Sequence, residues 1–107
     1  MPTLTGEQIE EMVRRLVAAL SPLRIYLFGS HAYGVPGPHS DIDLYIIVDE
    51  EFPEIGECAK RGYGCFVDTG APVELHFSGP KTFERRAAAG VGLESEVRAR
   101  GRLLYAA

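Results

Sequence analysis

Between Asp41 and Val48 apolar and polar residues alternate almost without a break. Ile42, Leu44, Ile46 and Val48 fall on one side of an extended chain, and Asp41, Asp43 and Tyr45 on the other, because side chains along a strand point to opposite faces in turn. A strand of this kind is stable only when a second layer covers its apolar face. The N-terminal segment offers that layer. Thr5-Gly6-Glu7-Gln8 reads as a capping box, and Ile9, Met12, Val13, Leu16, Val17 and Leu20 follow as one apolar stripe at helical spacing. Glu7, Glu10 and Glu11 come early and Arg14 and Arg15 late, as the helix dipole favours. Ser21-Pro22 ends the helix. Leu23 to Phe28 then reads as a short buried strand broken by Gly29.

The rest of the chain completes the same pattern. Residues 29–40 hold three glycines and two prolines, which predicts a loop with at most one helical turn near Ser30. Asp49 to Pro53 reads as an acidic turn. From Glu54 to about Thr69 the residues Ile55, Cys58, Ala59, Gly62 and Phe66 recur at helical spacing, although Gly62 and Gly64 weaken an unbroken helix. Val73 to Ser78 is a third alternating strand, with Val73, Leu75 and Phe77 on one face and Glu74, His76 and Ser78 on the other. Pro80 opens a helical stretch that Gly90-Val91-Gly92 interrupts. A further helix runs from Leu93 to Arg100, Gly101 terminates it, and Leu103 to Tyr105 forms a last strand or a docked tail. This order predicts one α+β domain over residues 1–107, a small mixed β-sheet with helices mainly on one face.

Composition excludes several classes. A net charge of −4 over 107 residues argues against a general nucleic-acid binder, which needs a basic footprint to displace counterions. The apolar runs are far shorter than the ~20 residues that span a bilayer, and the N-terminal residues lack the pattern of a secretory signal. Cys58 and Cys65 make neither a disulfide scaffold nor a CxxC pair. A cytoplasmic setting is expected.

The chemistry concentrates in Gly29-Ser30, ten intervening residues, and Asp41-Ile42-Asp43. A strand that ends in Gly-Ser exposes backbone N–H groups where the chain can approach an anion closely, and the serine hydroxyl can join them. Asp41 and Asp43, two apart, repel each other unless a cation sits between them, and Mg²⁺ is the hard ion best suited to carboxylate oxygens. Glu74, on the third strand, is the candidate for a third carboxylate of a two-metal site. His76 shares a face with Glu74 and reads as a surface or hydrogen-bonded histidine. His31 and His39 read as plain loop residues, and Cys58 and Cys65 as core.

Gly29-Ser30-x10-Asp41-x-Asp43 resembles the signature of the minimal nucleotidyltransferases within the DNA polymerase β-like superfamily. The likeness extends over the preceding helix and strand, the later acidic strand and the Gly101-Arg102-Leu103-Leu104-Tyr105 ending. It implies a nucleotidyltransferase core in which Gly29 and Ser30 hold the triphosphate, and Asp41, Asp43 and Glu74 are catalytic and bind Mg²⁺, two ions when nucleotide is present. The reaction implied is transfer of a nucleoside monophosphate, AMP from ATP, to a hydroxyl. Two departures stand out: members often carry Arg in the turn after Gly-Ser, where this chain reads His31-Ala32-Tyr33, and the third carboxylate is commonly Asp, where this chain has the longer Glu74.

A core this short leaves no room for an acceptor-binding domain, so the acceptor surface is expected from a partner or a second copy. The stand-alone members resemble the antitoxin halves of toxin–antitoxin pairs. There the partner is a small helical HEPN-type toxin, and the acceptor a tyrosine on it. Two other readings stay open: a binding module that neutralises its partner by contact, and a small-molecule nucleotidyltransferase working as a homodimer.

Overall fold

The capping box at Thr5 forms as its residue types require. Thr5 Oγ1 accepts from the Gln8 amide (3.1 Å) and Gln8 Oε1 accepts from the Thr5 amide (2.9 Å), which starts α1 (Gly6–Leu20). Ser21 closes it in the left-handed region (φ 47). The computed structural model describes residues 4–37, 40–51 and 54–107. After α1 come β1 (Arg24–Phe28), α2 (Ser30–Tyr33), β2 (Ile42–Ile47), α3 (Ile55–Gly64), β3 (Val73–Ser78), α4 (Pro80–Ala88), α5 (Leu93–Arg100) and β4 (Arg102–Ala106). The last segment is thus a strand, the first of the two expected forms, and not a docked tail. His39, Phe52 and Pro53 lie outside the described residues.

The four strands form one sheet in the order β3-β2-β1-β4. β1 pairs antiparallel with β2 and with β4, whereas β2 and β3 run parallel. The sheet is therefore mixed and the class α+β, as expected. Met12, Leu16 and Leu20 of α1, Cys58 of α3 and Phe66 cover one face, meeting Ile25, Leu27, Ile42, Leu44, Ile46 and Leu75. The helices lie on both faces of the sheet rather than mainly on one. The two C-terminal helices cover part of the other face: Phe83 and Ala87 of α4 and Val97 of α5 pack on Phe28, Tyr45 and Ile47. Alternation at Tyr45 and Ile47 supplies this second core, because both are as buried as Leu44, Ile46 and Val48 around them.

Gly62 shows why a glycine that weakens the helical pattern is nevertheless retained. It lies inside α3, and a Cβ there would stand 2.8 Å from Phe77 Cζ and 2.9 Å from Leu75 Cδ1. The missing side chain lets α3 sit close on β3. Beyond Gly64 the chain continues in turns to Gly70, so the helix is shorter than the spacing to Thr69 predicts.

Candidate active site

The register of three strands assembles the site. Asp43, the second residue of β2, pairs with Phe28 at the end of β1 and with Glu74 near the start of β3. Paired residues on neighbouring strands share a face, so the two carboxyls project from the same face of the sheet, the one on which α4 and α5 pack. Burial first, then the hydrogen bond with Glu74, then the negative charges of Glu74 and Asp41 push the Asp43 carboxyl up to about 6. Glu74 thus acts on Asp43 through both hydrogen bonding and charge, and each raises the Asp43 carboxyl. Nearby His76 opposes the shift.

Asp41 lies just ahead of β2 and is exposed. The Ile42 amide donates to the Pro72 carbonyl (2.7 Å), so the chain from Asp41 onward runs beside the approach to β3. Glu74 is half exposed, and His76 Nε2 lies 3.9 Å from Glu74 Oε1. The His76 ring stacks parallel to Tyr45 at 6.2 Å and tilts against Phe28 at 5.6 Å. His76 is therefore held in place beside the acidic pair; the shared face with Glu74 was the signal in the sequence.

Gly29 links the acidic pair to the following turn. Its φ of 77 lies where residues with a Cβ are strained. A Cβ there would overlap Asp43 Oδ2 and stand 3.2 Å from Asp43 Cγ. Ser30 follows as the first residue of α2; the Ala32 and Tyr33 amides close back on the Gly29 carbonyl at 3.0 and 3.1 Å. The fold thus brings Gly29, Ser30, Asp43 and Glu74 to one place, with Asp41 adding its charge. A cavity of about 800 Å³ lies elsewhere, between the start of α1 and residues 66–72. It is lined by Ile42, whose side chain belongs to the opposite face.

Among the described residues no three His, Cys, Asp or Glu side chains stand assembled as a metal cage. The donor set nonetheless suits a hard divalent cation. Asp43 and Glu74 face each other across β2 and β3, and the repulsion that helps raise the Asp43 carboxyl is what a bound cation would relieve. Gly29, lacking a Cβ, leaves room for Asp43 Oδ2.

Comparison with known proteins shows the family and the fold. The nucleotidyltransferase domain family matches residues 7–102. The chain belongs to that family. Two solved structures share its fold. One is a toxin–antitoxin with AMP-PNP, with a TM-score of 0.65 and 17% identity over 92% of this chain and 73% of that chain. The other is a mutant form of the toxin–antitoxin MntA-HpeT, with a TM-score of 0.59 and 18% identity over 97% of this chain and 75% of that chain. No curated protein sequence matches the chain at a significant level. None of the described helices is long and apolar enough to cross a membrane.

Proposed function

We propose that this member of the nucleotidyltransferase family is Mg²⁺-dependent and transfers AMP from ATP to a tyrosine hydroxyl of a small helical HEPN-type partner, acting as an antitoxin. The observation that carries the reading is the pairing of Asp43 with Glu74 across β2 and β3 beside a side-chain-free Gly29. The two similar folds, both toxin–antitoxin structures and one with AMP-PNP, support the partner and the nucleotide.

In this reading Asp41, Asp43 and Glu74 would hold the metal ions. Bound there, the ions supply charge neutralisation at the attacking and leaving oxygens of an in-line displacement. Gly29 and Ser30 orient the triphosphate through backbone N–H groups and the serine hydroxyl. A carboxylate of the acidic trio takes the proton of the acceptor hydroxyl. The acceptor oxygen bonds to the α-phosphorus, the bond between the α- and β-phosphates breaks, and pyrophosphate leaves. The whole chain, residues 1–107, is the catalytic core, and the acceptor surface belongs to the partner.

Incubation with labelled ATP, Mg²⁺ and the HEPN-type protein of the neighbouring reading frame tests this. AMP transfer should appear on the partner and vanish, by at least about 100-fold, in an Asp41→Ala, Asp43→Ala variant. A stable complex that carries no label would overturn the enzyme in favour of neutralisation by contact.

A further inference from the structure

The turn that follows Gly29 has to meet a polyanion, yet Ser30, His31, Ala32 and Tyr33 include no lysine or arginine. Asp41, Asp43 and Glu74 beside it add only negative charge. The fold brings a guanidinium to this place from the other end of the chain. α5 ends at Arg100, and after Gly101 the strand β4 begins at Arg102, which pairs with Leu27 of β1. That register sets the end of α5 next to the end of β1, from which the Gly29 turn departs. There the Arg100 guanidinium carbon lies 4.0 Å from the centroid of the Tyr33 ring. This is closer than the 5.6 and 5.9 Å at which Arg24 lies over Phe83 and Tyr26.

Stacking on a ring fixes the plane of a guanidinium while its in-plane N–H donors stay available to an anion. Arg100 is 56% exposed, and its ion pair with Glu96 is loose at 3.7 Å. Arg98, by comparison, pairs with Glu84 at 2.9 Å, and Arg24 donates to the Tyr26 hydroxyl at 3.0 Å and lies over two rings.

We propose that Arg100, held on the face of Tyr33, is the fixed cation that binds the phosphates of the incoming nucleoside triphosphate. The role rests on the nucleotidyltransferase reading above, and it assigns Tyr33 as the residue that positions the guanidinium.

Calorimetric titration of the full chain with Mg²⁺·ATP, Mg²⁺·ADP and AMP tests it. Arg100→Ala should weaken ATP about tenfold, the scale of one charge-assisted contact at a half-exposed site. ADP should weaken less, and AMP should be unaffected. Arg100→Lys should recover part of the loss, and Tyr33→Leu, which keeps the apolar packing but removes the ring face, should cost about threefold. Adding Tyr33→Arg to Arg100→Ala should restore binding by placing the charge on α2 itself.

Glu96→Gln separates binding from a structural role. If Arg100 only steadies α5 through its i,i+4 pair with Glu96, this variant will mimic Arg100→Ala; if Arg100 binds phosphate, ATP affinity will hold or rise. Unfolding midpoints identify any variant that fails to fold, and Arg100→Lys then carries the comparison. Unchanged ATP affinity in Arg100→Ala, with a wild type that binds, overturns the proposal and leaves the nucleotidyltransferase reading intact. A wild type that binds none of the common nucleoside triphosphates overturns that reading, and the role of Arg100 with it.

Discussion

Gly29 meets two separate demands at one position. Its backbone occupies a region with φ of 77, and its absent Cβ leaves the volume that Asp43 Oδ2 occupies. Either demand alone disfavours substitution; together they make Gly29→Ala move the carboxylate as well as strain the turn. The expected outcome is a stability loss of about 1–3 kcal/mol, read by urea unfolding, and a loss of AMP transfer larger than that destabilisation explains. The need for glycine here was legible in the sequence as a close approach of backbone to a ligand. That the close neighbour is a carboxylate of this same chain was not, because Gly29 and Asp43 are joined by the β1–β2 register and not by local spacing.

At the scale of elements, the α4–α5 pair is tied to the sheet by a polar knot under its apolar cover. The Tyr45 hydroxyl donates to Glu94 Oε2 at 2.8 Å and shares a 2.8 Å hydrogen bond with Ser78 Oγ. Glu94 is only 13% exposed and lies 3.6 Å from Arg86. Burial, with the Glu94 charge adding to it, pushes the Tyr45 hydroxyl up to about 12, so it stays a donor at any ordinary pH. Tyr45→Phe should cost about 1–2 kcal/mol, since Glu94 and Ser78 would lose a partner inside the fold. Urea melts of Tyr45→Phe, Glu94→Gln and the double variant would give a coupling energy well above zero. The elements themselves were readable from period and punctuation: Gly90-Val91-Gly92 does separate two helices, and Val73–Ser78 is a strand over its whole expected length. The shorter α3 was less so, because Gly62 answers to packing on β3, which no local pattern encodes.

Over the whole molecule the acids dominate, and the metal-free protein should register this in its pH dependence. The Asp43 carboxyl, ordinarily near 3.8, is pushed up to about 6, chiefly by burial and the hydrogen bond with Glu74. A carboxyl raised in this way binds its proton more tightly folded than unfolded. Its contribution to stability is fully present below about pH 4 and is lost as pH rises through 6. Asp43→Asn cannot ionise, so in the presence of a chelator it should exceed wild type by about 1 kcal/mol at pH 7, allowing for solvent screening. The gap should close toward pH 4. Thermal unfolding across that range measures it, and Mg²⁺ with nucleotide should favour wild type instead, because only wild type keeps the full set of ligands.

What the sequence determined by itself is whatever depends on neighbours along the chain. The capped α1 stripe, the alternating strands, the glycine-rich turn after Gly29 and the face shared by Asp43 and Tyr45 all follow from periods of two and 3.6 residues. Tertiary structure decided everything that depends on register and on which layer covers which face. It set Glu74 beside Asp43 through the parallel β2–β3 pairing, divided the helices between both faces of the sheet, and brought Arg100 over Tyr33 through the β1–β4 pairing. Those contacts join residues far apart in the chain, so they are fixed by the packing of complementary surfaces and leave no periodic trace in the order of amino acids.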